Sequence, residues 1–85
     1  MPESLTGIIE RVTFHNPENG FAVLRVQANG RPDLITVVGH LPSALAGEYI
    51  EASGAWSNDR DHGLQFKAEE LHTAPHTASG LSKNT

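Results

Sequence analysis

The chain has 85 residues and a formal net charge of −4, from six Lys and Arg against ten Asp and Glu. That length allows one domain, and the absence of Cys excludes disulfides, thiolate metal sites and a cysteine nucleophile. No run approaches the roughly 18 apolar residues of a membrane-spanning helix, the first residues lack the basic and apolar regions of a signal peptide, and we expect a cytoplasmic, reducing compartment.

Five segments have the composition of β-strands, and clusters of turn residues separate them. In chain order they are residues 5–14, 21–28, 34–40, 49–56 and 64–71. The Asn-Gly dipeptides at 19–20 and 29–30 indicate turns, because both residue types tolerate positive φ. Gly63 is expected to take positive φ at the last turn, and Gly54 predicts a bulge or bend in the fourth strand.

Alternation in the first segment predicts which side chains face inward. One face would carry Ile8, Glu10, Val12 and Phe14, and the other Leu5, Ile9, Arg11 and Thr13. The chain has only five aromatic residues, and a small core claims most of them. We therefore expect Phe14 and Phe66 in the core, whereas Trp56, at a strand end before a polar loop, suits core and surface equally.

This pattern predicts an all-β fold, a small five-stranded antiparallel Greek-key barrel of the OB (oligonucleotide/oligosaccharide-binding) type. Residues 41–48 leave room for a short helix between strands three and four, or for none. An SH3-like barrel remains the alternative, because periodicity alone does not separate the two. The barrel would span residues 1–72, and residues 73–85, which have no apolar period, would form a linker or tail.

Three phrases of the sequence carry a family resemblance. They are residues 6–16 (TGIIERVTFHN), 18–26 (ENGFAVLRV) and 63–68 (GLQFKA). On these residues the chain resembles the N-terminal OB domain of bacterial RecD-like ATP-dependent DNA helicases of superfamily 1. The resemblance implies an excised N-terminal domain of a larger motor, in which ATP and Mg²⁺ bind elsewhere, so no cofactor is expected in this domain.

Candidate DNA contacts combine cations with an aromatic ring, as in other single-strand binders. Arg11, Arg25 and Lys67 are out of phase with inward apolar neighbours and would share the barrel exterior. The candidate residues for binding single-stranded DNA are Arg11, Arg25, Trp56, Arg60 and Lys67. The alternative is an ordinary solvated surface, since the ten acidic residues dilute any positive patch.

Catalytic and metal sites are not indicated. The sequence lacks the glycine-rich phosphate-binding loop motif of ATPases, and Asp59, Asp61 and His62 share a polar turn without a serine nucleophile. His72 and His76 are four residues apart, but Pro75 between them disfavours a helix. We therefore expect no enzyme active site and no metal in this chain.

The leading hypothesis is an accessory domain of a DNA helicase. It would contact single-stranded DNA weakly, or position the motor, so its partners would be that DNA and the helicase domains of its own parent chain, with no membrane. The alternative is a protein–protein or intramolecular docking module that does not bind nucleic acid. The net charge of −4 favours docking, and a barrel can accept a partner strand at an open edge.

Overall fold

All regular secondary structure in the computed structural model, which describes residues 2–61 and 63–74, is β-strand. The strands are β1 (Glu3–His15), β2 (Phe21–Ala28), β3 (Leu34–His40), β4 (Tyr49–Asp59) and β5 (Gly63–Ala74). β2 and β3 have the predicted bounds, whereas β1, β4 and β5 extend beyond the apolar segments into polar residues. No helix long and apolar enough to cross a membrane occurs in these two ranges.

The five strands form one closed barrel in the order β1-β2-β3-β5-β4, with β4 returning to β1. Four pairings are antiparallel, and the pairing of β3 with β5 is parallel. The parallel pairing arises because β4 and β5 form a hairpin placed between β1 and β3, which makes β5 run in the direction of β3. The predicted all-β OB barrel is confirmed.

The connection between β3 and β4 contains no helix, in agreement with the prediction of a short or absent one. Backbone hydrogen bonds fix it instead: Gly47 N donates to Ile9 O at 2.7 Å, and Ile9 N donates to Glu48 O at 2.8 Å. Leu41 at its start is buried in the barrel core. The connection is therefore held in place by β1.

The core is aliphatic, with one large aromatic ring. Phe66 is fully buried, as expected. The buried apolar residues are Leu5, Ile9, Ala22, Leu24, Val26, Ala28, Ile35, Val37, Leu41, Ile50, Ala52 and Phe66. In β2 they alternate strictly with outward residues, so this strand presents one clean face to solvent.

Two β-bulges in β1 change the predicted faces of that strand. The register with β2 shifts at Glu10 and again at Thr13, and each extra residue reverses the inward–outward alternation. Val12 consequently packs against the core, while Phe14 points outward and is 50% exposed. The prediction that Phe14 lies in the core was wrong, because alternation read from sequence alone does not register a bulge.

Gly54 lies where the pairing of β4 with β5 is irregular. Ser53 pairs with Glu70 and Gly54 with Ala68, so the extra residue of the bulge is Glu69 of β5, and not a residue of the predicted strand β4. A Cβ atom at Gly54 would overlap the backbone carbonyl oxygen of Lys67. Glycine is needed here because two backbones approach each other closely.

The last strand extends past the predicted end of the barrel. Thr73 and Ala74 belong to β5, where they pair with Ile50 and Tyr49. The remainder of the predicted linker, residues 75–85, lies outside the described residues, as does His62. Nothing structural is therefore assigned to the predicted tail beyond Ala74.

Candidate nucleic-acid interface

The outer surface of β2 and β3 has a regular composition. Alternate residues of the two strands point outward and pair across the strands: Phe21 with His40, Val23 with Val38, Arg25 with Thr36, and Gln27 with Leu34. We call these eight residues the β2–β3 face. Its first half is aromatic and aliphatic, and its second half is polar and cationic.

Three rings form a contiguous row at the first end of this face. The ring centroids of Phe14 and Phe21 are 6.0 Å apart with an interplanar angle of 56°. Phe21 meets His40 edge-on, with centroids 5.7 Å apart and an angle of 69°. Phe14 and Phe21, which flank the turn between β1 and β2, thus contact each other across it. This aromatic row, Phe14, Phe21 and His40, offers ring surface on which nucleobases can stack.

The turn between β1 and β2 holds the aromatic row in position. The Asn16 side chain accepts a hydrogen bond from Glu18 N at 2.9 Å, which forms an Asx turn. Gly20 has φ of 80°, and its N–H donates to Asn16 O at 2.8 Å. Phe21 N donates to the Asn19 side chain at 2.8 Å. These local bonds fix where β2 begins and so where the Phe21 ring lies.

Two arginines on neighbouring strands, Arg11 and Arg25, lie next to each other beside the aromatic row. Arg11 of β1 and Arg25 of β2 are register partners, and both are exposed. Arg25 Nη1 donates to Thr36 Oγ1 at 3.0 Å, and neither arginine forms an ion pair within the described part of the chain. Like charges directly opposite each other destabilise a sheet, so this pair does not serve the fold.

A cavity of about 450 Å³ joins the aromatic row to Arg25. Phe21, Val23 and Val38 form its apolar lining, and Asp59 at the end of β4 also lines it. A base would therefore find stacking surface and polar groups in the same depression.

The other predicted site residues are distributed unevenly. Lys67 of β5 is exposed and in register with Val38 of β3, so it flanks the β2–β3 face on the side away from Arg11. Arg60 is exposed in the turn between β4 and β5 and follows Asp59, which lines the cavity. The structure thus groups Arg11, Arg25 and Lys67 around one face.

Trp56 lies away from the aromatic row. Its ring packs edge-on against Phe66, with centroids 5.1 Å apart and an angle of 79°. The Arg31 guanidinium carbon lies 4.6 Å from the Trp56 ring centroid, over the ring. Trp56 therefore packs against Arg31, whose guanidinium covers the Trp56 ring. The sequence had suggested this ring as a stacking site for bases.

The predicted set lacked the three residues of the aromatic row, Phe14, Phe21 and His40, and it lacked Arg31, which lies over Trp56. The alternation of β2 does predict that Phe21 points outward, because Phe21 and Arg25 are four residues apart and lie on the same face of the strand. His40 is likewise in phase with Thr36 along β3. The bulge at Thr13 reverses the alternation, so the sequence does not show that Phe14 points outward. The contact of Arg31 with Trp56 joins residues far apart in the sequence, so it exists only in the closed barrel.

The opposite wall of the barrel is acidic. His72 Nε2 and Glu51 Oε1 are 3.0 Å apart on its surface. Both residues line a small cavity of about 220 Å³, together with Glu70 and Ser4. We call the outer surface around Ser4, Glu51, Glu70 and His72 the acidic face. Among residues 2–61 and 63–74, no three His, Asp or Glu side chains group closely enough to hold a metal ion.

Comparison with known protein families shows to which family the barrel belongs. The family model for the OB-fold domain of the ATP-dependent DNA helicase YrrC matches residues 2–75. No curated protein and no solved structure matches the chain. The expectation of an OB domain of a DNA helicase is confirmed, and the match covers all five strands.

Proposed function

Because the chain belongs to the family of the OB-fold domain of the ATP-dependent DNA helicase YrrC, we propose that it is a non-catalytic accessory domain that binds single-stranded DNA weakly. The binding surface is the β2–β3 face together with Phe14, Arg11 and Lys67. ATP and Mg²⁺ act in the rest of the parent protein, whose helicase domains are the second partner.

The observation that carries this proposal is the aromatic row beside Arg25. Stacking of a base on an exposed ring contributes about 1–3 kcal/mol, and Phe14 and Phe21 present adjacent rings. When bases stack on these rings, their phosphates lie near Arg11 and Arg25. The exposed Phe14 ring is also explained, since half of its surface is open to solvent and the core does not need it.

Charge predicts that the binding is weak and sensitive to salt. Arg11, Arg25 and Lys67 surround the face, but the whole chain carries −4. Long-range attraction to a polyanion is therefore small, and short-range contacts decide affinity. Each phosphate contact on a single strand contributes about 0.7 to the log–log slope of affinity against salt.

Fluorescence anisotropy with a labelled oligothymidine of about 12 nucleotides, a length within the range of one OB fold, tests the proposal. We expect salt-sensitive binding that Arg11→Ala and Lys67→Ala weaken. The matched control is Ser4→Asp, which changes the net charge by the same amount on the acidic face. A folded domain with no binding at low salt contradicts the proposal.

A second candidate function is docking onto the helicase domains of the parent protein. The acidic face favours it, because Glu51 and Glu70 suit a basic protein surface. Under this alternative the folded domain binds the separate helicase domains but no DNA, and charge reversal by Glu70→Lys abolishes the complex. Under the leading proposal Glu70→Lys leaves the aromatic row and its DNA contact intact.

A further inference from the structure

A second cavity, of about 360 Å³, continues the first along β2 and β3. Arg25 and Thr36 line both cavities, so the two are halves of one groove. The first half contains Phe21 and the apolar side chains. The second half contains two guanidinium groups, those of Arg25 and Arg31.

Arg31 is held in position from both its backbone and its side chain. Gln27 Nε2 donates to Arg31 O at 2.7 Å, and the guanidinium lies over the Trp56 ring at 4.6 Å. Trp56 is in turn fixed by its edge-on contact with the buried Phe66. A guanidinium stacked on a ring keeps its in-plane N–H groups available to a ligand, and little side-chain freedom is left to lose on binding.

Arg25 is oriented in the same groove. Its Nη1 donates to Thr36 Oγ1 at 3.0 Å, which leaves other N–H donors of the fork free for an acceptor. Neither Arg25 nor Arg31 pairs with a carboxylate of a described residue. Asp33 also lines this half of the groove, so two positive groups face one negative group here and the balance in this half favours an anion, whereas the first half is lined by Asp59.

We propose that Arg25 and Arg31 form a phosphate subsite for the backbone of single-stranded DNA, and that Trp56 is the positioning residue of Arg31. The inference rests on the proposed function, because the strand that reaches this subsite is the one whose bases stack on the aromatic row. Phe21 and Arg25 are about 13 Å apart along β2, from a rise of about 3.3 Å per residue. One bound DNA strand would therefore place its bases on the aromatic row and a phosphate at Arg25 and Arg31, at separate points along the groove.

The test compares two probes of equal length, an oligothymidine and a strand of abasic residues that has phosphates but no bases. Arg31→Gln is expected to weaken binding of both probes roughly tenfold, and to lower the log–log salt slope by about 0.7. Phe21→Ala is expected to weaken the oligothymidine alone, because the abasic strand has nothing to stack. Asp33→Asn, which removes the opposing charge, is expected to strengthen binding of both.

A double-mutant cycle tests the role of Trp56. If Trp56 acts through Arg31, Trp56→Leu weakens binding in the native background and has no further effect together with Arg31→Gln. A Trp56 that itself stacks on bases weakens binding in both backgrounds, which overturns the positioning role. Because Trp56 touches the core, Trp56→Phe is included as a variant that keeps a ring under Arg31, and it is expected to retain the affinity of the native chain.

Failure of the subsite and failure of the proposed function give different results. If the native chain binds oligothymidine but Arg31→Gln changes neither affinity nor slope, the subsite is refuted and the proposed function stands. If Ser4→Asp weakens binding as much as Arg31→Gln, long-range charge explains the effect and the subsite is again refuted. If the folded native chain binds neither probe, the proposed function fails and this inference fails with it.

Discussion

Phe14 and Phe66 have the same side chain but opposite environments in the barrel. Phe66 is fully buried at the centre of the core, while Phe14 is 50% exposed beside Phe21. The bulge at Thr13 accounts for the difference, because it turns Phe14 to the outer surface. The backbone of β1 thus adds the Phe14 ring to the aromatic row on the outer surface.

The two phenylalanines should respond differently to truncation. Phe66→Ala removes a fully buried ring and is expected to lower the free energy of unfolding by about 3–5 kcal/mol. Phe14→Ala removes a half-exposed ring and is expected to cost much less, about 1 kcal/mol. Chemical denaturation of the two variants measures this. A Phe14→Ala variant as unstable as Phe66→Ala contradicts the position assigned to Phe14.

DNA affinity should show the reverse order of sensitivity. Phe21→Ala and Phe14→Ala are each expected to lower oligothymidine affinity by about 1–3 kcal/mol, because each removes one stacking surface. The salt slope should stay unchanged, since no cation is lost. The matched control is Leu45→Ala, which removes an apolar side chain that is 64% exposed in the β3–β4 connection. An equal loss of affinity in the control contradicts the assignment of the aromatic row.

At the scale of the strands, local chemistry was predictable from the sequence and closure of the barrel was not. The turn at Asn19 and Gly20 was predicted correctly, because its hydrogen bonds join residues close in sequence. The bounds of β2 and β3 followed from their apolar and β-branched composition between clusters of turn residues. The bulges of β1 depend on its pairing with two neighbours, and the Arg31–Trp56 contact joins a loop to a distant strand, so neither has a local signal.

The irregular pairing of β4 with β5 at Gly54 gives a prediction about backbone packing. Gly54→Ala places a Cβ against the Lys67 carbonyl and 2.8 Å from the Ala68 Cα, and these backbone atoms have little freedom to move. We expect a loss of stability at or above the roughly 1–3 kcal/mol of an overpacked core. Thermal unfolding followed by circular dichroism measures the loss.

The neighbouring residue provides the control for this variant. Ala55→Ser changes an exposed position of the same strand and should alter stability by no more than about 0.5 kcal/mol. If Gly54→Ala melts at the same temperature as Ala55→Ser, the close approach of β4 to β5 is incorrect.

For the molecule as a whole, the distribution of charge matters more than its sum. Arg11, Arg25 and Arg31 lie on or beside the β2–β3 face, whereas Glu51 and Glu70 lie on the acidic face. The net charge of −4 therefore conceals two different surfaces. Such a domain can contact DNA on one side without attracting nucleic acid over its whole surface.

This distribution predicts the salt dependence of binding. Contacts from Arg11, Arg25, Arg31 and Lys67 give an expected slope of about −2 to −3 for log affinity against log salt, at about 0.7 per phosphate contact. Anisotropy titrations across a salt series measure the slope. Binding that does not change with salt contradicts a role for these cations, and a steeper slope indicates contacts beyond this face.

The central claim is that the β2–β3 face with its aromatic row is the DNA-binding surface. An amide chemical-shift titration of the 85-residue chain with oligothymidine tests it most directly, because binding and its location are read from one experiment. The account predicts the largest shifts at Phe14, Phe21, Val23, Arg25 and Val38, with little change at Glu51 and Glu70. A well-dispersed spectrum that oligothymidine leaves unchanged, or shifts confined to the acidic face, contradicts it.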